Sequence, residues 1–354
     1  MTHAVTKQHS KKASAAATTI PHVVEDCMGF VQLYNDGTVS RLKDIDFLKF
    51  NLPRISDDAV SYKDCLYDEP HGLHLRIYKP VSDSRDGGGR LKKLPILVYL
   101  HGGGFCLGSI DWPNCHNSCQ RLASGLDVVV VAPDYRLAPE HRLPAAVEDG
   151  EAVMQWLKAQ ATSPGGGGYE EDWLAPEGVD FDRVFVLGDS SGGNIAHQLA
   201  VRFGSGSPGL APVRVRGFVL LAPFFGGVDR TESEEGPREE MLSLEDLDRF
   251  WRLALPIGEN RDHWLANPLG YLSSSAEAAT KADLDPILFI VGSRELLKDR
   301  AKEYAVKLRE MGKVAEYVEI EGEQHGFFTN DPYSEVSSTK VIEVVGKFMY
   351  KGDY

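Results

Sequence analysis

Runs of apolar residues alternate with helical patterns along most of the chain, and this alternation limits the fold more than any other sequence feature. Stretches such as "LPILVYL" (94–100) and "PILFIVG" (286–292) are continuously apolar, which is typical of strands covered on both faces. Alternation of this kind predicts a mostly parallel central sheet with helices on both faces, an α/β fold. The predicted strands are 73–80, 94–100, 126–133, 183–188, 215–223, 286–292 and 314–320, and the predicted helices cover about 114–124, 144–160, 192–203, 297–311 and 334–349.

No linker interrupts this pattern, so we expect one domain over residues 20–354. Residues 1–19 are rich in Ala, Ser and Thr and are predicted to be a disordered tail. A transit peptide is the less favoured alternative, because this segment contains no Arg. The stretch 21–42 is interpreted as a short helix followed by a turn at Asp36-Gly37. An acidic segment, 229–248, lies between two predicted strands, where an inserted lid helix is expected.

Composition excludes several classes of partner. The 38 Lys and Arg against 52 Asp and Glu give a net charge of −14, which argues against binding to nucleic acid or to an anionic membrane. No apolar run approaches the roughly 20 residues of a membrane helix. Five cysteines in 354 residues do not make a complete disulfide framework and favour a reducing compartment. We therefore expect a cytoplasmic protein, with the nucleus as an additional location.

A serine flanked by glycines directly follows one predicted strand. The sequence Gly188-Asp189-Ser190-Ser191-Gly192 joins the strand 183–188 to the helix that starts at 192. A serine in such a sharp strand-to-helix turn is strained and exposes its hydroxyl at the carboxyl edge of the sheet. The spacing to the two outer glycines selects Ser190 over Ser191 as a catalytic nucleophile.

A glycine loop follows the strand 94–100, with the sequence His101-Gly102-Gly103-Gly104-Phe105. Consecutive glycines can turn backbone N–H groups toward a ligand without a clash at Cβ. Together with the serine elbow, the loop is the expected second half of an oxyanion hole. We assign the oxyanion donors to the N–H groups of Gly103, Gly104 and Ser191.

One of the eleven histidines has the position required of a general base. In folds with this elbow the chain order is serine, acid, histidine, and the last two follow the final strands. Only His325 fits, because "EGEQHGFF" comes directly after the strand 314–320. His197 is expected to pack or to face solvent, and His101 to orient the glycine loop.

Two carboxylates are candidates for the acid that orients His325. Both Glu295 and Asp299 follow the strand 286–292, in "SRELLKDR". Glu295 lies three residues past Gly292, within reach of the loop at the end of the strand, and is favoured. Asp299 is interpreted as part of the next helix, where it would cap that helix or pair with a base. Asp285 precedes the strand and is therefore at the wrong end of the sheet.

Taken together, these motifs resemble those of the hormone-sensitive-lipase-like α/β-hydrolases, and within them the plant carboxylesterases. "HGGGF", "DYRLAPEHRLPAA" (134–146), "GDSSGGN" and "EGEQHGF" occur in order, and "DCMGFVQLYNDGTVSR" and "LAPFFGG" suggest the plant group. The resemblance covers about residues 22–350. It implies an α/β-hydrolase fold with a helical cap from about 20–50 and 229–265. It also implies a Ser-His-acid esterase whose oxyanion glycines correspond to Gly103 and Gly104.

The acid position departs from the family pattern, which usually has Asp where this chain has Glu295. In this respect the chain is similar to the carboxylesterase 15-like subgroup, which is associated with strigolactone breakdown. The resemblance therefore implies hydrolysis of a small, largely apolar ester or lactone, with strigolactones among the candidates. Two alternatives use the same scaffold: a hormone receptor of the gibberellin-receptor type, which lacks the catalytic histidine, and a hydroxyisoflavanone dehydratase.

The substrate pocket is expected above the carboxyl ends of the strands. No metal or organic cofactor is expected, because the chemistry needs none. Cys115 and Cys119 are interpreted as small buried residues, since no second pair has metal-ligand spacing. The expected partner is a small-molecule ester. The candidate pocket walls are aromatic or aliphatic side chains from the glycine loop, the 223–227 turn and the cap: Phe105, Leu107, Phe30, Phe224, Phe225, Phe250 and Trp251.

Overall fold

The computed structural model describes residues 20–42, 58–81, 93–162, 172–240, 242–270, 284–330 and 335–351. The predicted tail, 1–19, and part of the expected cap, 43–50, lie outside these ranges. Eleven strands are described: β1 (Val23–Cys27), β2 (Val31–Tyr34), β3 (Val39–Arg41), β4 (Val60–Asp68), β5 (Leu73–Pro80), β6 (Leu94–Leu100), β7 (Val129–Pro133), β8 (Val179–Asp189), β9 (Val215–Leu221), β10 (Ile287–Gly292) and β11 (Ala315–Ile320). The described α-helices are α1 (Pro113–Leu126), α2 (Ala145–Thr162), α3 (Ser191–Phe203), α4 (Leu244–Ala254), α5 (Lys298–Glu310), α6 (Phe327–Asn330) and α7 (Glu335–Met349).

Eight strands form the central sheet, in the order β11-β10-β9-β8-β6-β7-β5-β4. The six strands from β11 to β7 are parallel, whereas β5 and β4 are antiparallel to their neighbours. Alternate residues of β6 pack into two separate apolar clusters, with Ile96 and Val98 on one face and Leu97 and Tyr99 on the other. Because both faces of the strand are buried, its sequence is continuously apolar.

The predicted α/β fold is confirmed, and from residue 73 onward each predicted strand and helix has a counterpart. In the central sheet, the strand that was not predicted from the sequence is β4, which lies at the edge of the sheet. Most of its side chains are exposed or half-buried, so it lacks the apolar run of a central strand. No helix in the described part of the chain has the length and apolar character needed to cross a membrane.

The prediction of a helix within 21–42 is wrong. This stretch forms a separate three-stranded antiparallel sheet, β1-β2-β3, and only the predicted turn near Asp36-Gly37 is present. Val23, Val31 and Val39 are β-branched and favour strands. The alternation is hard to read because the strands are only three to five residues long.

The parallel strands bring the predicted site residues to one edge of the sheet. β6 and β8 are followed immediately by the glycine loop and by Ser190, and β10 and β11 are followed within five residues by Glu295 and His325. Since these strands run in the same direction, their carboxyl ends lie together. The helix α4 begins near the end of the acidic segment 229–248 and lies within the expected cap segment 229–265. It starts with a capping box in which Ser243 and Asp246 bind each other's backbone N–H.

Candidate active site

Ser190 occupies a strained turn between β8 and α3. Its backbone has φ of 53° and ψ of −113°, outside the regions that a serine ordinarily adopts. Hydrogen bonds hold the turn: the Ser190 N–H donates to the Leu221 carbonyl at 2.9 Å, and the Ser190 carbonyl accepts from the Phe224 N–H at 2.8 Å. The side chain is thereby held at the end of the sheet rather than packed into it.

The two glycines of the elbow are required by close backbone contacts. A Cβ on Gly188 would lie 2.0 Å from the carbonyl oxygen of Gly192, and one on Gly192 would lie 2.0 Å from that of Leu100. These distances are far shorter than any tolerated contact, so α3 can approach the strands this closely only with glycine at both positions.

Ser190, His325 and Glu295 form a continuous hydrogen-bonded chain. The Ser190 Oγ lies 2.9 Å from His325 Nε2, and His325 Nδ1 lies 2.8 Å from Glu295 Oε1. The second carboxylate oxygen of Glu295 accepts the backbone N–H of Gly292 at 3.0 Å. With Nδ1 as the donor to Glu295, Nε2 is the acceptor that a serine nucleophile needs.

Carboxylates around His325 favour its charged form. Burial opposes that charge, but the hydrogen bond and charge of Glu295, with the charges of Glu239 and Asp189, outweigh it and raise the pKa of His325 to about 9. Asp189 is itself buried, and burial raises its pKa to about 6, although His325 and a hydrogen bond from Thr329 act in the opposite direction. The site is therefore built to stabilise an imidazolium, the species formed when the serine loses its proton.

The two rejected acids lie where the sequence places them. Asp299 is in the first turn of α5, and its Oδ2 accepts the backbone N–H of Ser233 at 2.7 Å. Asp285 precedes β10 and accepts the Gly206 N–H at 3.0 Å. Of these carboxylates, Glu295 is the one that contacts His325.

The glycine loop presents free backbone donors beside Ser190. Gly103 and Gly104 both line the cavity above the serine, with φ of 119° and 60°. Among the described residues, neither N–H donates to another protein group. A Cβ on Gly104 would lie 2.4 Å from the ring of Phe250, so α4 packs directly on this loop. Ser191, the third predicted donor, is the first residue of α3, where the N–H has no partner within the helix.

His101 holds the start of the glycine loop. Its Nδ1 donates to the Gly102 carbonyl at 2.8 Å, and its ring stacks on Tyr135 with centroids 4.2 Å apart. The Tyr135 hydroxyl donates to the His101 carbonyl at 2.8 Å. Burial lowers the pKa of His101, although Asp134 opposes this shift. The neutral ring thus serves the predicted orienting role.

A cavity of about 450 Å³ lies above these groups. Its walls come from the glycine loop, α1, α4, the loop after β11, the turn between β1 and β2, and the residue that follows β3. Its lining residues are Met28, Phe30, Leu42, Tyr99, His101, Gly102, Gly103, Gly104, Leu107, Gly108, Ser109, Trp112, Asn114, Cys115, Asp189, Ser190, Phe224, Glu240, Leu242, Leu247, Phe250, His325, Gly326 and Thr329. The cavity is mainly apolar and opens onto the Ser190 hydroxyl, as a site for a small organic ester would.

Comparison with family models decides the class of the protein. The α/β-hydrolase fold model matches residues 97–329, which include the serine elbow and the histidine, and a carboxylesterase family model matches residues 42–139. Probable carboxylesterase 8 of Arabidopsis thaliana is 35% identical over 321 residues, covering 90% of this chain and 91% of that protein. The chain belongs to the carboxylesterases of the α/β-hydrolase fold.

Two further similarities show how widely this carboxylesterase scaffold is used. The gibberellin receptor GID1C of Arabidopsis thaliana is 32% identical, over 83% of this chain and 82% of that receptor. The crystal structure of EstE1, a thermophilic carboxylesterase cloned from a metagenomic library, superposes with a TM-score of 0.67 at 28% identity and covers 84% of this chain and 91% of that one. The resemblance to plant carboxylesterases and the assignment as a serine carboxylesterase are both confirmed.

Three predicted pocket residues of the carboxylesterase are not in the cavity wall. Phe30, Leu107, Phe224 and Phe250 line it, but Phe105, Phe225 and Trp251 do not. Phe105 turns away from the cavity and packs against Trp251 with ring centroids 5.6 Å apart, and the Trp251 ring stacks on Phe224 at 4.2 Å. Phe225 packs against His197 and Tyr304. In each case the large ring is buried in the core, where it gains more from packing than it would at the cavity wall.

Several residues that line the candidate active site were not predicted from the sequence. Asp189 and Thr329 lie beside the reacting groups, and Glu240 and Leu242 bring the lid segment to the cavity. Asp189 stands inside the serine motif and could have been found there. Glu240 and its neighbour Glu239 stand in an acidic segment that has no motif, so only the folded structure reveals their position. Cys115 lines the cavity and Cys119 is fully buried, and no metal-binding cluster of side chains occurs in the described ranges.

Proposed function

We propose that this carboxylesterase hydrolyses esters through a Ser190-His325-Glu295 triad. The observation that carries the proposal is the hydrogen-bonded chain of 2.9 Å and 2.8 Å that ends at the Ser190 hydroxyl, directly beneath the cavity. His325 takes the proton from Ser190 as the hydroxyl attacks the ester carbonyl, and then delivers it to the leaving alcohol. Water, activated by the same histidine, releases the acid from the acyl-enzyme.

The N–H groups of Gly103, Gly104 and Ser191 would hold the oxyanion of the tetrahedral intermediate. The two loop N–H groups have no protein acceptor within the described ranges and lie along the cavity. Ser191 adds a donor at the N-terminus of α3, where the helix dipole also favours negative charge. Loss of one such donor typically costs about 10²–10³ in rate.

The charges of the cavity support a neutral, largely apolar substrate. Among the described lining residues there is no Lys or Arg, whereas Asp189 and Glu240 supply carboxylates. An anionic ester would meet like charge, while a small apolar ester or lactone would fill the aromatic walls formed by Phe30, Phe224 and Phe250. Strigolactones, which the resemblance to the carboxylesterase 15-like subgroup suggests, are candidates of this class.

The deciding experiment compares hydrolysis of short p-nitrophenyl esters by the wild type and by Ser190→Ala. We expect readily measured turnover in the wild type and a loss of at least about 10³-fold in the variant, because the nucleophile is absent. Ser191→Ala is the matched control, since it keeps its backbone N–H. Equal turnover in wild type and Ser190→Ala would refute the triad. A folded wild type that binds ligands without hydrolysing any ester would instead favour a receptor role.

A further inference from the structure

A buried carboxylate outside the triad contacts both loops that carry the acid and the base. Glu239 is only 2% exposed. Its Oε1 accepts the backbone N–H of Leu296 at 2.5 Å, and its Oε2 accepts the backbone N–H of His325 at 2.8 Å. Leu296 directly follows Glu295 in the chain. One carboxylate therefore fixes the backbone at His325 itself and next to its partner Glu295.

This contact comes from a segment that belongs to neither loop. Glu239 lies in the insertion between β9 and α4, whereas Glu295 follows β10 and His325 follows β11. The two loops also bind each other directly, since the Arg294 N–H donates to the Glu323 carbonyl at 2.9 Å. Glu239 adds a brace from a third direction, close to the reacting side chains.

The residue after Glu239 reaches the substrate cavity. Glu240 lines that cavity, and its backbone N–H donates to Gln324 Oε1 at 3.1 Å, beside His325. The same short segment thus contacts the triad loops on one side and the cavity on the other. A shift of this segment would move the loop that carries His325.

The charge of Glu239 also acts on His325. It is one of three carboxylates that face the imidazole, with Glu295 from the loop after β10 and Asp189 from the end of β8, and each raises the pKa of His325 against the effect of burial. Burial in turn raises the pKa of Glu239, while His325 and the two backbone N–H groups oppose that shift. The ionised brace and the imidazolium therefore stabilise each other.

We propose that Glu239 is a positioning residue for ester hydrolysis: its carboxylate braces the Glu295 and His325 loops against each other and adds negative charge beside the imidazole. This inference rests on the triad of the proposed function. A glutamine at this position would keep one acceptor but would turn an NH₂ donor toward a backbone N–H, and would remove the charge.

The test measures kcat and KM for p-nitrophenyl butyrate as a function of pH in the wild type, Glu239→Gln and Glu239→Asp. The control is Glu235→Gln, which removes an exposed charge from the same segment. We expect Glu239→Gln to lower kcat about 10- to 100-fold with KM changed less than about threefold, because misplacement of the triad slows the reaction more than binding. The wild-type kcat/KM should rise with pH toward about 9, where His325 becomes neutral. In Glu239→Gln this rise should move to lower pH, since the pKa of His325 falls when a facing negative charge is removed.

Glu239→Asp separates the two effects. The aspartate keeps the charge but is too short to reach both loops. We therefore expect a lower kcat, while the rise of kcat/KM with pH stays near its wild-type position. Wild-type kcat and pH dependence in Glu239→Gln would overturn the proposal, as would a loss of activity matched by Glu235→Gln. If Glu239→Gln lowered kcat but the rise of kcat/KM with pH stayed at its wild-type position, the proposed effect of the Glu239 charge on His325 would be overturned.

A second measurement does not depend on ester hydrolysis, so the test of Glu239 can be separated from the test of the proposed function. The His325 Nδ1 proton, hydrogen-bonded to Glu295, should give a downfield proton resonance that is absent in His325→Ala. Its titration midpoint should be lower in Glu239→Gln than in wild type and in Glu235→Gln. An unchanged midpoint would count against Glu239 even if the wild type hydrolysed no ester, whereas absence of Ser190-dependent hydrolysis refutes the triad alone.

Discussion

At the residue scale, the acid of the proposed triad is a glutamate, and its extra methylene is accommodated by its own loop. Glu295 uses one oxygen for His325 and folds the other back onto the N–H of Gly292, three residues earlier. The residue is 1% exposed, and the hydrogen bonds to both of its carboxylate oxygens hold the side chain in place. The position of Glu295 after β10 could be predicted from chain order. The hydrogen bond from the Gly292 N–H to Glu295 and the contacts of Glu239 could not be predicted, because every residue except proline carries the same backbone N–H donor, which leaves no pattern in the sequence.

Replacing Glu295 in the loop after β10 and replacing Asp299 in the first turn of α5 should have unequal effects. We expect Glu295→Gln to lower kcat by about 10³–10⁴, because an amide favours the wrong tautomer of His325 and removes the charge that stabilises the imidazolium. Asp299→Asn, the matched control, should retain at least a tenth of the activity, since Asp299 binds the backbone of Ser233 and does not contact His325. Steady-state kinetics with a p-nitrophenyl ester measures both. The opposite ranking would show that Asp299 is the functional acid.

At the element scale, strands that are buried on both faces could be predicted, because their sequences are continuously apolar. Strands that are short or exposed could not be predicted, because they lack this pattern. The edge strand β4 and the sheet β1–β3 belong to the second group. A helix, α4, is present within the segment 229–265 where the cap is expected, and its position depends on tertiary contacts. Phe250 packs on Gly104, and Arg249 and Arg252 pair with Glu25 in β1. Because these contacts cannot be read from the sequence, Phe105, Phe225 and Trp251 were predicted to line the pocket, whereas in the structure they pack in the core.

Phe250 and Phe225 should differ in their influence on substrate choice. Phe250→Leu shortens a wall of the cavity, so we expect the ratio of kcat/KM for p-nitrophenyl hexanoate to that for the acetate to change by about tenfold, the size of effect that one or two methylene groups produce in an apolar pocket. Phe225→Leu should lower the melting temperature but leave this ratio unchanged, since its ring packs against His197 and Tyr304. A large change of the ratio in Phe225→Leu alone would contradict the assignment of the cavity walls.

At the scale of the whole molecule, a net charge of −14 and a cavity bearing carboxylates act in the same direction. Both repel anions, one at long range and the other at the site. The net charge could be read from the sequence. The absence of Lys and Arg from the described cavity lining could not, because the lining residues come from segments spread between positions 28 and 329.

An anionic ester should therefore be a poorer substrate than its neutral counterpart. We expect kcat/KM for 4-acetoxybenzoate to be about tenfold below that for its methyl ester at low ionic strength, with the difference shrinking as salt screens the repulsion. Glu240→Gln should also reduce the difference, whereas Glu235→Gln should not, because Glu235 is exposed and lies outside the cavity wall. Equal rates for the two esters, or a preference for the anion, would contradict this reading of the cavity.

The pairing of Glu25 with Arg249 and Arg252 has a consequence for engineering. It joins pieces of the chain more than 200 positions apart, and Arg41 extends the connection by binding Glu140 and the carbonyl of Cys106 in the turn after the glycine loop. These contacts tie the N-terminal strands to α4 and to the turn after the glycine loop. A chimera that imports α4 from a relative without the corresponding N-terminal strands would replace Arg249 and Arg252 and would leave Glu25 without these partners. We therefore expect that exchange of substrate preference between relatives requires both pieces to be transplanted together.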